Sequence, residues 1–281
     1  MNTYKQIVDI FNREIALPAD AQQTFNHCNL PAAVLGSVQF QRHPTALLID
    51  GVHELHAQLF STLEGIATAQ QRARRFMDYM VVQFRLHHLE DAGLVGDTHN
   101  KRINADYLRL LRGWLFDPDS REAAVLKGWV ESRFGLLARY HHGPLREREN
   151  YQAYLMARSE GVLGTNALEA QLDLLYSYCQ YELGRQYAGQ QHLVLYRGVN
   201  RLNQYDILYQ ADKQHAAVLL NNLSAFTSNR ERADEFGDQL LEVAVPLAKL
   251  FYYSSLLPSI LEGEDEYLVI GGVYEVQISL W

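Results

Sequence analysis

The chain has 281 residues, of which 48% are hydrophobic and 21% charged, enough for one large domain or two unequal ones around a substantial core. Its net charge of −8 disfavours a nucleic-acid or anionic-membrane binder, since both partners need positive protein surface. The two cysteines, Cys28 and Cys179, form neither a CxxC pair nor a secreted disulfide pattern, which points to reduced thiols and a cytoplasmic setting.

The opening Met1-Asn2-Thr3-Tyr4-Lys5 lacks the basic and then apolar run of a signal peptide. No segment approaches about 18 uninterrupted apolar residues, so no membrane span is expected. Residues 1–190 read as helix after helix. Pro31 in a first turn predicts a helix running towards Arg42, stopped by His43-Pro44. Ala69, Ala73, Phe76, Met80, Val81 and Phe84 recur at helical spacing. Asn166 with Glu169 three residues on reads as a capped start for the stripe Leu168, Leu172, Leu175, Cys179 and Leu183, which ends near Gly184 and Gly189. These stripes are core faces rather than cofactor contacts.

After residue 190 the texture becomes that of strands. His192 to Gly198 is a short apolar run, and Gln239 to Val245 alternates with Leu241, Val243 and Val245 on one face. Between them, Arg230 to Phe236 reads as a short helix capped by Ser228 or Asn229. Tyr267 to Ile270, Gly271-Gly272 and Val273 to Leu280 predict a hairpin. No repeat or low-complexity linker divides the helical part from the β part, so the junction is expected to be packed.

Three segments of the β part carry residues suited to chemistry. Arg197 closes an apolar strand, where it needs a partner, either a ligand phosphate or carboxylate or simply a protein acid. Gly198 beside it allows a ligand close to the backbone. In Leu223-Ser224-Ala225-Phe226-Thr227-Ser228 the hydroxyls of Ser224, Thr227 and Ser228 suit a carboxylate or a ribose, and Phe226 offers a flat face; a strand edge running into a helix cap is the plainer alternative. Ile260 to Gly272 packs Glu262, Glu264, Asp265 and Glu266 ahead of an apolar strand. Strand alternation puts Glu264 and Glu266 on one side, with Leu268 and Ile270 continuing that face inward. Paired acids at the mouth of a strand suit a cationic or oxocarbenium-like centre, although a solvated acidic loop has the same composition.

Other constellations are weaker. His53-Glu54-Leu55-His56 is not HExxH and has no evident third ligand. His87-His88 and His141-His142 read as solvated or locally bonded. GxGxxG and GxxxxGK[ST] are both absent, so neither a Rossmann nor a P-loop nucleotide site is indicated.

The order Tyr196-Arg197-Gly198, then Phe226-Thr227-Ser228, then Glu264-x-Glu266 resembles the Arg–Ser/Thr–Glu signature of the cholera-toxin-like ADP-ribosyltransferases, and Glu-x-Glu resembles their arginine-modifying branch. Asn26-His27-Cys28-Asn29-Leu30-Pro31, Ile49-Asp50-Gly51-Val52, Phe76-Met77-Asp78-Tyr79-Met80, Phe226 to Ala233 and Glu266 to Tyr274 are similar to the dinitrogenase reductase ADP-ribosyltransferase family, including a helical half that the toxins lack. The resemblance implies that NAD is the co-substrate, held by Tyr196, Arg197, Gly198, Phe226, Thr227, Ser228 and Glu266. It further implies that Arg197 grips the NAD phosphate or ribose, that Phe226 lies near the nicotinamide, and that Thr227 and Ser228 support the site. Glu266 would hydrogen-bond the ribose 2′-OH and stabilise the oxocarbenium-like state, while Glu264 would hold and deprotonate the acceptor guanidinium. Two details depart from the general pattern. Phe226 stands where Ser-Thr-Ser has its first serine, with Ser224 as the substitute to weigh, and the acidic run also permits the register Glu262-x-Glu264.

The resulting expectation is an α+β chain. Its helical region, 1–190, would serve acceptor recognition and regulation and supply part of the NAD cleft. Residues 191–281 would form an ADP-ribosyltransferase-type split β-sheet core. By resemblance the acceptor is an arginine of nitrogenase iron protein, modification reversibly inactivates nitrogen fixation, and a PII signal protein is a candidate regulator. The alternatives are the same chemistry on another protein, a non-catalytic NAD-binding regulatory module, and NAD hydrolysis with water as acceptor, which Glu264 argues against.

Overall fold

A computed structural model of the chain describes residues 14–86, 106–163, 165, 167–200, 202, 205–257 and 265–280. Short helices α1 (Ala32–Leu35), α2 (Val38–Arg42), α3 (Val52–Leu55) and α4 (Ala57–Glu64) lead to the longer α5 (Ala69–Gln83), α6 (Tyr107–Phe116), α7 (Arg121–Phe134), α8 (Arg148–Gly161) and α9 (Leu168–Gln186). Strands β1 (His192–Val199), β2 (Asp206–Gln210) and β3 (His215–Thr227) follow, then α10 (Arg230–Asp234), β4 (Gln239–Pro246), β5 (Leu250–Tyr253) and β6 (Glu266–Leu280). The chain is α+β, with helices first and sheet second.

Local chemistry sets the helix starts. Thr68, Asp106 and Ser120 each accept a bond from the backbone N–H three residues on, opening α5, α6 and α7. The single helix expected from Pro31 to Arg42 is instead two. Gly36 ends α1 with its N–H on Ala32, and Ser37 takes an extended conformation and caps α2 by accepting from the Phe40 N–H. Asn166 lies outside the described residues; α9 begins at Leu168 after Ala167, whose φ is 50°. The stripe Leu168, Leu172, Leu175, Cys179 and Leu183 is buried as expected, and α9 runs through Gly184 to Gln186.

Helix α7 is buried on nearly all sides, which requires its polar side chains to be paired. Lys127 Nζ donates to Asp119 at 3.0 Å and to the Tyr140 carbonyl at 3.1 Å. Glu131 accepts from Arg158 at 3.0 Å and from the Ala138 N–H at 3.0 Å. Trp129 Nε1 and Arg133 Nε both donate to Asp173 of α9 at 2.7 Å. Between α5 and α9, Arg72 and Glu182 form a buried two-bond pair at 2.6 and 2.7 Å.

The six strands run antiparallel in the order β2-β3-β1-β4-β6-β5, with an extra β3–β6 pairing. The pairings β1–β3, β3–β6, β6–β4 and β4–β1 form a ring, so the sheet must curl on itself rather than lie open. Helices dock onto it through side-chain amides. Gln41 of α2 donates to the Ala244 and Glu275 carbonyls and accepts from the Glu275 N–H at 2.7 Å. Asn222 of β3 donates to the Lys127 carbonyl at 2.8 Å, and Gln180 of α9 to the Leu250 carbonyl at 2.8 Å. One core therefore holds residues of both regions: Trp129 of α7 lies 4.8 Å, centroid to centroid, from Phe251 of β5.

The hairpin expected at Gly271-Gly272 is absent: β6 runs unbroken through both glycines. Both are needed for close approach. A Cβ on Gly271 would lie 1.9 Å from the Asn221 carbonyl oxygen, and Gly272, with φ +116°, packs against Gly36. Opposite them the β3–β6 register shifts between Leu220 and Leu223, the mark of a bulge rather than a turn.

Candidate active site

The three motif segments meet at one end of the sheet. Tyr196 of β1 is the register partner of Thr227 of β3, and Thr227 is the partner of Glu266 of β6. Residues far apart in sequence thus share one row, its outer members about 10 Å apart across two strand spacings. Glu266 opens β6 and is half-buried; Leu268 and Ile270 beyond it are fully buried. Glu264, and Glu262 of the alternative register, lie outside the described residues.

Arg197 occupies the face of β1 opposite Tyr196, as strand alternation requires. Its Nε donates to the Tyr205 hydroxyl at 3.0 Å, its Nη1 to the Ala225 carbonyl at 2.6 Å, and its guanidinium carbon lies 6.0 Å from the centre of the Phe226 ring. Phe226 is 2% exposed, so its ring acts as a floor for the guanidinium. On the other face Tyr196 is covered by Arg230, at 6.0 Å from ring centre, and Arg230 also reaches Glu242 at 3.6 Å. Tyr196 and Arg197 therefore serve different faces of the strand.

Gly198 has a packing reason to be glycine: a Cβ there would lie 2.0 Å from the Ala233 carbonyl oxygen. Its bareness lets α10 sit against β1. That helix is shorter than expected, ending at Asp234. Its cap is Asn229, which accepts from the Arg232 N–H at 3.2 Å, while Thr227 Oγ1 accepts from the Asn229 N–H at 3.1 Å. Burial pushes the Tyr267 hydroxyl up to about 12, with Tyr187 adding to the rise and a hydrogen bond from Ser228 opposing it. Ser224 is buried within β3, opposite Val269, and lies on the same strand face as Phe226.

The histidines have local roles. His53 packs on Phe60 at 4.4 Å, and His56 Nδ1 lies 2.9 Å from the Tyr79 hydroxyl, its pKa lowered by burial. His141 is buried with Nδ1 3.2 Å from Lys127 Nζ and is pushed down to about 4, chiefly by burial and secondarily by that ammonium; His87 and His88 lie outside the described residues. Two residues near the signature were not singled out from the sequence. Tyr205, bonded to Arg197, has no signal beyond being an aromatic between strands. Phe236 is 59% exposed and lies against Gly198; the only available signal was a large aromatic closing a polar helix.

The chain matches the family model described as dinitrogenase reductase ADP-ribosyltransferase over residues 25–278. It is similar to the NAD(+)–dinitrogen-reductase ADP-D-ribosyltransferase of Rhodospirillum rubrum, with 38% identity over 264 residues, covering 90% of this chain and 94% of that relative. No solved structure matches it. A match that spans both the helical region and all three segments of the Tyr196–Thr227–Glu266 row places the chain in the dinitrogenase reductase ADP-ribosyltransferase family.

Proposed function

We infer that this chain transfers ADP-ribose from NAD to dinitrogenase reductase, the nitrogenase iron protein, as the name of the Rhodospirillum relative states for that enzyme, and that the acceptor is an arginine. The observation that carries the reading is the coincidence of a likeness covering 90% of the chain with the convergence of its three signature segments on one row.

The chemistry follows from the residue types. The bond between ribose C1′ and the nicotinamide nitrogen breaks, nicotinamide leaves with the bonding pair, and positive charge develops on the sugar. Glu266 accepts from the ribose 2′-OH and faces that charge, the arrangement carboxylates use in glycoside hydrolysis. Arg197, braced by Tyr205 and the Ala225 carbonyl, donates to the NAD phosphate or ribose. Gly198, Phe226, Thr227 and Ser228 shape the cleft, and Tyr196 stands in the same row as Thr227 and Glu266. An arginine nitrogen forms the new bond to C1′ and passes a proton to Glu264, since a protonated guanidinium is no nucleophile.

On this reading residues 191–281 are an ADP-ribosyltransferase-type split-sheet core, and residues 1–190 serve acceptor recognition and regulation, with a PII signal protein as candidate regulator. The modification is reversible, switches off nitrogen fixation and takes place in the cytoplasm. Among the described residues, no helix is long and apolar enough to cross a membrane.

The test incubates the purified protein with labelled NAD and dinitrogenase reductase, beside Glu266→Gln and Glu264→Gln. Label on one arginine with wild type, lost in both variants, is the expected result. Nicotinamide release that persists in Glu264→Gln without protein labelling is expected if Glu264 handles only the acceptor. Label on other proteins alone would overturn the acceptor, and NAD binding without turnover would overturn the enzyme.

A further inference from the structure

We propose that Tyr205 is a positioning residue for NAD binding: its hydroxyl oxygen fixes the Nε edge of Arg197 and so aims Nη2 at the bound nucleotide. The proposal rests on the NAD-dependent reading above and deepens it by naming what holds the arginine.

The geometry is specific. A guanidinium is a planar fork whose donors have fixed directions. Arg197 spends Nε on Tyr205 Oη at 3.0 Å and Nη1 on the Ala225 carbonyl at 2.6 Å, while the Phe226 ring lies 6.0 Å from the guanidinium carbon. Two in-plane bonds and a ring contact define both the rotation and the plane of the fork. Among the described residues, Nη2 has no acceptor. The Tyr205 oxygen receives the Arg197 proton, so its own O–H hydrogen is directed elsewhere and can supply a second donor to the same anionic ligand.

Tyr205 is itself held from both sides. Its N–H bonds the Leu202 carbonyl at 3.0 Å, and the Leu202 N–H bonds Gln239 of β4 at 2.8 Å. The next residue, Asp206, pairs with Arg139 at 2.8 Å and begins β2 opposite Leu219. These main-chain bonds fix where the Tyr205 side chain starts, and a tyrosine serving only to fill space would not need its hydroxyl on the arginine.

The test compares NAD titrations and steady-state kinetics of wild type, Tyr205→Phe, Arg197→Lys and the double variant, with thermal unfolding of each. Tyr205→Phe is expected to raise KM for NAD about tenfold, the worth of one charge-assisted hydrogen bond, with kcat and melting temperature nearly unchanged. In the Arg197→Lys background the same change is expected to cost nothing further, because Tyr205 acts through Arg197. Tyr205→His keeps a ring and an acceptor nitrogen. It should recover most of the affinity at pH 8 and lose it towards pH 5.5, as an imidazole with a pKa of about 6.5 gains charge beside the guanidinium.

An unchanged KM in Tyr205→Phe, an equal loss in both arginine backgrounds, or a melting temperature that falls in step with affinity would each overturn the proposal. A pH-independent Tyr205→His would do the same. Wild-type protein that fails to bind NAD would instead overturn the function itself, and this role with it.

Discussion

Lys249 is fully buried with no carboxylate beside it among the described residues, and replacing it by methionine is expected to stabilise the protein at neutral pH. Its ammonium donates to the Gly271 carbonyl and lies 5.7 Å from the centre of the Phe40 ring and 5.2 Å from that of Tyr274. Burial pushes its pKa down from 10.5 to about 7, which at about 1.36 kcal/mol per unit is a penalty of roughly 5 kcal/mol at and below neutrality. Methionine removes the penalty and keeps the volume, but leaves the Gly271 carbonyl unpaired at a cost of about 1–3 kcal/mol. The net gain near pH 6 is then on the order of 2–4 kcal/mol. Between pH 7 and 10.5 the unfolded chain holds a proton that the folded lysine lacks, so wild-type stability rises with pH through that window and falls as pH drops towards 7. The advantage of Lys249→Met should therefore shrink by about 3 kcal/mol between pH 7 and pH 9. Burial holds the Cys28 thiol and the Tyr274 hydroxyl above their ordinary values, a pH dependence that wild type and variant share and that cancels from their difference. Urea unfolding of both proteins at several pH values measures the difference directly. A difference that does not change with pH would refute the reasoning, because it would mean Lys249 keeps its proton throughout.

Removing either partner of the buried Arg72–Glu182 pair, as Arg72→Leu or Glu182→Leu, should cost about 3–5 kcal/mol, and the double leucine variant should recover most of that loss. Chemical denaturation of the three variants checks this. Gly271→Ala would press a Cβ to 1.9 Å from the Asn221 backbone oxygen, so the soluble folded yield should collapse rather than fall slightly. Gly198→Ala should displace α10 from β1 and weaken NAD binding more than it lowers the melting temperature, measured by titration beside thermal unfolding. Asn229→Ala removes the cap of α10 and should cost about 1 kcal/mol, with a matching drop in denaturation midpoint.

What could be read from the sequence was whatever rests on periodicity or on residue types with few alternative uses. The stripe of α9 and the alternation of β4 appear as expected because burying one face fixes the spacing regardless of what covers it. The signature segments could be ordered along the chain, and their meeting in one row follows once β3 pairs with both β1 and β6. The errors occurred where one residue type serves two geometries. Gly271-Gly272 has the composition of a tight turn, yet here the glycines let one strand pass against Asn221 and Gly36, and nothing local distinguishes a turn from a close approach. Gly36-Ser37 broke a helix for a similar reason, since a serine able to accept from the N–H three residues on can start a new helix inside an apparently continuous one.

The same limit explains Tyr205 and Lys249. Neither stands in a motif, and each owes its character to partners supplied by other elements of the fold: a guanidinium for Tyr205, a strand carbonyl and two rings for Lys249. Catalytic segments can be recognised because the chemistry restricts which residues perform it, whereas the residues that hold them in place are restricted only by geometry. Arg197 shows both sides. Its type and place at a strand end were legible, but its plane is set by Tyr205, Ala225 and Phe226. A guanidinium binds an anion well only when that plane is fixed beforehand. The selective part of the site is thus an orientation, which no single segment of the chain encodes.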